Sequence, residues 1–141
     1  MDPPYAGILS RVSAIAVDAL VLAVAVSSVA AGFPAVWEQV IGPLPHWVEQ
    51  GVQWAGALLP LAYFAVSWSV SGRTLGGLLM GTQVQRLGGR RIGFALALLR
   101  ALIGLLLAPI WLIGLVAILW TDRRQALHDK VFGTVVRFTG H

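Results

Sequence analysis

The chain contains no cysteine. Disulfides, thiolate chemistry and thiol-ligated metals are therefore excluded. Charge is scarce as well. Asp, Glu, Lys and Arg make up 11% of the 141 residues, against about 25% in soluble domains. Acids are the scarcer sign, six against ten bases, and Lys130 is the only lysine. The net charge of +4 is no nucleic-acid footprint, because the bases fall between apolar runs. In a membrane protein such clusters set topology. A Ser-His-Asp pattern is missing, and so is any Gly-Lys-Ser/Thr after the glycines. No catalytic group and no cofactor are therefore expected. His46, beside Pro45, has no second ligand in sight, so no metal is expected either. What abounds is apolar: 57% of residues are hydrophobic. Three long apolar runs in a chain sized for one domain, residues 1–141, point to an integral membrane protein.

The first run, Arg11 to Gly32, carries two charges. Seven residues of helix separate Arg11 from Asp18, about 10 Å of rise and almost two turns. Both charges therefore share a face, with Asp18 one layer deeper. An ionised carboxylate in hydrocarbon is costly without a partner or water, so something polar must fold against that face. Span 1 is expected over Ile8 to Ala31. Ala19, Ala23, Ser27 and Ala31 recur every four residues, which is either a stripe for close helix contact or simple alanine abundance. Ser28 to Ala31 loosely resembles a signal-peptidase site. Asp18 interrupts the apolar core that a signal peptide needs, so cleavage is not expected.

Residues 33–51 hold Pro34, Gly42, Pro43 and Pro45, two acids and no base. They are predicted to form an external loop of two short interfacial helices, with Trp37, Trp47 and Trp54 at the membrane boundary. Span 2 is expected over Val52 to Ser71, with Pro60 inside it. Residues 71–93 then carry Arg73, Arg86, Arg90 and Arg91 and no acid, which predicts a cytoplasmic segment and a cytoplasmic N-terminus. Thr82 to Leu87 alternates polar and apolar, and Gly88-Gly89 suits a tight turn. A β-ribbon over 81–94 follows, a hairpin of about Gly81–Leu87 with Arg90–Phe94, and Thr134 to Phe138 is a candidate third strand. The remaining glycines, Gly72, Gly76, Gly77 and Gly81, suit turns and close packing. The third apolar run, Ile92 to Trp120, is divided by Pro109 into pieces of about 25 and 18 Å. Bases at Arg123, Arg124, Lys130 and Arg137 favour a helical hairpin with the C-terminus cytoplasmic; the alternative is one tilted span. The predicted fold is a membrane all-α protein. It has two full transmembrane helices, a Pro-broken helical hairpin and a small cytoplasmic β-ribbon.

These features together resemble the RDD family of bacterial membrane proteins, named for one arginine and two aspartates. The resemblance covers nearly the whole chain. Its arginine corresponds to Arg11, its first aspartate to Asp18, and its second to Asp129 in QALHDKVFGTVV. The segment GRTLGGLLMGTQV is similar to the family's Gly-x-Thr-x-Gly element. Gly77 departs from it, standing where lysine is expected. The resemblance implies a bacterial cytoplasmic membrane protein, with transport suggested for some members and no activity common to all.

Two roles fit the residues. One is an accessory or scaffolding subunit of a larger membrane complex, with the cytoplasmic ribbon docking another membrane subunit. The other is a small oligomeric transporter or a cation or proton exchanger using Asp18. A charge network is expected as well, and a free or water-facing Asp18 would favour the transporter. Arg11 should meet Asp129, with Asp122 as the rival partner, and Asp18 should pair with Arg100. Arg100 lies about 10 Å deep when counted from Gly93.

Overall fold

The computed structural model describes residues 7–107 and 132–139. The described structure is mostly helical. Helix α1 (Ile8–Ser27) passes through a π turn, Ser28–Gly32, into α2 (Phe33–Val40). Together they form a 33-residue rod, Ile8–Val40, long and apolar enough to cross a membrane. At helical rise the rod is about 50 Å long, more than the ~30 Å hydrocarbon core.

The external loop expected over 33–51 is thus corrected. Pro34 does not end the helix, because the π turn absorbs it. The amide of Phe33 bonds to Ser28 O, five residues back. The wider ring relieves the clash that a proline makes with the preceding turn and accommodates its missing N–H. The amides of Ile41 and Gly42 both bond to Trp37 O at 2.8 and 3.3 Å and close the rod. Helix α3 (His46–Val70) begins six residues before the expected Val52, behind Pro45 in extended conformation. It runs through Pro60 for 25 residues, about 37 Å at helical rise.

Residues 71–77, a loop that runs into the first turn of the short helix α4 (Leu75–Leu79), lead on to strand β1 (Thr82–Arg86). Strand β1 pairs antiparallel with β2 (Thr134–Phe138), with Val84 opposite Val136 and Arg86 opposite Thr134. The segment expected as a third strand is therefore the partner of β1, and the hairpin expected between 81–87 and 90–94 does not form. Gly88 and Gly89 do make a turn, with both amides on Arg86 O at 2.9 Å. One further bond, Arg86 N to Arg90 O at 2.8 Å, is all that continues it. Ile92 then drops into the core, 2% exposed, and α5 (Phe94–Leu106) starts two residues later. That leaves no length for a strand. The β-branched run Thr134-Val-Val fits the pleat better.

The core lies where α5 crosses α3 and the ribbon. Ala65 and Trp68 of α3 meet Ala97 and Ala101 of α5, with Ile92, Val84 and Val136 alongside. The alanines let the two helix backbones approach closely. Helix α1 turns Arg11, Ala14 and Asp18 inward. Ala19, Ala23, Ser27 and Ala31 are exposed, so the small-residue stripe is not the packing face. Ala19 is one residue, about 100°, around the helix from Asp18. Pro109, the hairpin or tilted span drawn about it, Asp122 and Asp129 all lie outside the described residues.

Candidate functional site

The buried face of α1 meets the 71–77 loop at Asp18, which is 3% exposed. Its carboxylate accepts three hydrogen bonds. Tyr63 of α3 donates its hydroxyl to Oδ1 at 2.7 Å. The Gly76 amide donates to the same oxygen at 2.8 Å. The Thr74 hydroxyl donates to Oδ2 at 2.5 Å.

Both hydroxyls are themselves oriented from behind. Leu75 N–H donates to Tyr63 Oη at 3.0 Å, and Gly77 N–H donates to Thr74 Oγ1 at 3.1 Å. Three successive amides, 75 to 77, therefore converge on one carboxylate, one directly and two through a hydroxyl. These are the amides at the start of α4, which have no partner within the helix. Thr74 is its N-cap, a position where a hydroxyl side chain commonly accepts such an amide. An ionised acceptor strengthens each bond, and chains of bonds reinforce one another. The arrangement compensates a charge that would be costly to bury alone.

Two glycines make this geometry possible. A Cβ on Gly76 would land on the carbonyl of Ala14, so only glycine brings the amide this close to α1. Gly72 sits at φ +72°, where a side chain is strained. Its carbonyl accepts Val84 N–H at 2.8 Å and ties the loop to β1. Gly77 is buried beside Thr82 and Thr74, Gly81 links α4 to β1, and Gly88-Gly89 form the turn after β1.

Arg100 is 4% exposed and Arg11 is 6% exposed. Both face the same cavity as Asp18, a space of about 70 Å³ that Thr74, Thr82 and Trp68 also line. Arg100 Nη1 donates to Thr134 Oγ1 at 2.7 Å, and its guanidinium lies 4.8 Å from the centre of the Trp68 ring. The expected Asp18–Arg100 ion pair is not the arrangement found. Asp18 takes its bonds from Tyr63, Thr74 and Gly76, and Arg100 turns to β2 and Trp68. The expected pairing of Arg11 with Asp129, or with Asp122, lies outside the described residues.

Sequence reasoning missed Tyr63, Thr74, Trp68 and Thr134. Thr74 did carry a signal, since a threonine three residues before Gly77 and next to an apolar run suits an N-cap. Tyr63 is the tyrosine inside the second apolar run, and its hydroxyl needs a partner there. Among the described residues no group of three or more His, Asp or Glu gathers to hold a metal ion.

The family model described as the RDD family matches residues 5–133. No curated protein and no solved structure matches the chain.

Proposed function

The chain belongs to the RDD family, and from that premise we propose that it is an accessory or scaffolding subunit of a larger membrane complex. In this reading it is a multi-pass protein of the bacterial cytoplasmic membrane, with both termini and the 71–93 segment on the cytoplasmic side. The distribution of arginines supports that orientation.

One observation carries the role. Asp18 is buried and held by three donors, each fixed by α3 or by the backbone of the 71–77 loop. An exchange site must trade partners during each cycle. A carboxylate held in this way acts instead as a pin, fastening the loop and the ribbon behind it to the first helix. What such a pin provides is a rigid platform of α4, β1 and β2 beside the membrane for another subunit.

The rival reading, exchange at Asp18, draws support from the cavity beside it, whose ~70 Å³ has room for a few waters. Purification of the tagged chain from native membrane in mild detergent separates the two. A stoichiometric membrane partner supports the subunit reading. A chain that elutes alone, or only with copies of itself, favours the exchanger.

A further inference from the structure

A second cleft opens beside the same loop. It holds about 540 Å³, within the range of sites that take small molecules. One wall is apolar: Val66 and Val70 on the last turns of α3, and Leu75 and Leu78 on α4. All four of these side chains are exposed, Val70 at 67%. Two arginines line it as well, Arg91 and Arg73, the latter shared with the Asp18 cavity. They come from separate segments, the loop after α3 and the link between β1 and α5.

Arg91 is drawn in by the carbonyl of Val70, to which its Nη1 donates at 3.3 Å. A cation is favoured there, because the last carbonyls of a helix carry partial negative charge. A guanidinium has five N–H donors in a fixed fork, so most of those on Arg91 point elsewhere. Among the described residues no carboxylate lines the cleft, and residues 71–93 contain none. Gln83, at its base, is already committed through Nε2 to Ser71 O at 2.9 Å. The cleft thus offers positive charge and donors beside exposed aliphatic side chains.

We propose that this cleft binds an anionic phospholipid, with Arg73 and Arg91 holding the headgroup phosphate and the Val66–Leu78 wall lying along an acyl chain. The paired chemistry selects this occupant. A planar guanidinium fork matches phosphate oxygens, and aliphatic side chains exposed beside it in a membrane protein meet lipid tails. The site lies at the end of the long helix α3, where a headgroup layer is expected under the proposed orientation. It does not depend on whether the protein is a subunit or an exchanger.

The test is native mass spectrometry of the detergent-purified full chain, titrated with phosphatidylglycerol or phosphatidylcholine. Arg73→Ala/Arg91→Ala is compared with Arg86→Ala/Arg90→Ala, which removes two exposed arginines of the same segment outside the cleft. The wild-type chain should retain phosphatidylglycerol over phosphatidylcholine. The cleft variant should lose retention by roughly fivefold for each arginine, the effect of a basic residue at a membrane surface, and the control should keep it. Arg91→Gln, at an exposed position, decides the matter if the double variant does not purify as folded protein. Equal retention by the cleft variant, or an equal loss in the control, overturns the proposal. Competition by soluble glycerol phosphate as strong as by the lipid also overturns it, since that marks a phosphate site without a lipid wall.

Discussion

Replacing Gly76 with alanine tests the Asp18 pin in a way that local propensity cannot imitate. Gly76 lies inside α4, where alanine is favoured over glycine by about 1 kcal/mol. On propensity alone Gly76→Ala stabilises. The packing predicts the opposite sign. The new Cβ would fall on the Ala14 carbonyl, a backbone atom that cannot swing away as a side-chain tip can. The loop must retreat from α1, and crowding of this kind costs roughly 1–3 kcal/mol. As it retreats, the 2.8 Å bond from the Gly76 amide to Asp18 lengthens or breaks. A hydrogen bond to a charged group contributes about 1.5–3 kcal/mol. After the propensity gain, the net loss is about 2–5 kcal/mol, a large share of the ~5–15 kcal/mol typical of a folded protein. The assay is thermal unfolding in detergent, followed by size-exclusion fluorescence. At roughly 3 °C per kcal/mol for a chain of this size, Tm should fall by about 6–15 °C. Gly88→Ala is the control, because its Cβ meets nothing within 4 Å. A Gly76→Ala protein as stable as the Gly88→Ala control, or more stable than wild type, refutes the reasoning.

Three further outcomes follow from the same geometry. In double-mutant cycles, Asp18→Asn with Thr74→Val should show a coupling of about 1–3 kcal/mol, and Asp18→Asn with Arg100→Ala, which share a cavity but no hydrogen bond, a smaller one; the reverse order would restore the ion pair. Arg100→Lys should lower stability despite keeping the charge, because lysine lacks the planar fork, and the loss should shrink when Trp68 is already leucine, since the ring contact is worth about 0.5–2 kcal/mol; identical losses in both backgrounds would mean that the stacking on Trp68 contributes nothing. Single cysteines at Ala35, Gly88 and Thr139 should react with an impermeant reagent in intact cells only at position 35, and labelling at 139 would place the C-terminal strand outside.

The inward face of α1 was legible because two charges seven residues apart in an apolar run admit one helical solution. The strand at 134–138 was legible too, since its β-branched run sits outside any helical period. The partners of Asp18 were not. They are two hydroxyls and a backbone amide, and an amide has no signature in sequence; a search for a compensating charge leads to Arg100 instead. The rod was misjudged at Pro34 because a proline is read as a break, while a π turn that absorbs it leaves no mark in composition. The ribbon was misjudged because Gly88-Gly89 marks a turn without saying which strand returns. Burial of Ile92 and the early start of α5 decide that, and both are tertiary effects.

The account rests on Asp18 as a pin rather than a carrier, and ion flux through the purified chain bears on that most directly. Wild-type protein and the Asp18→Asn variant are reconstituted into liposomes, and proton- or cation-driven flux is followed with a trapped dye. The pin predicts that neither exceeds empty liposomes. Flux by the wild-type protein that vanishes in an Asp18→Asn variant with an unchanged elution profile would contradict it.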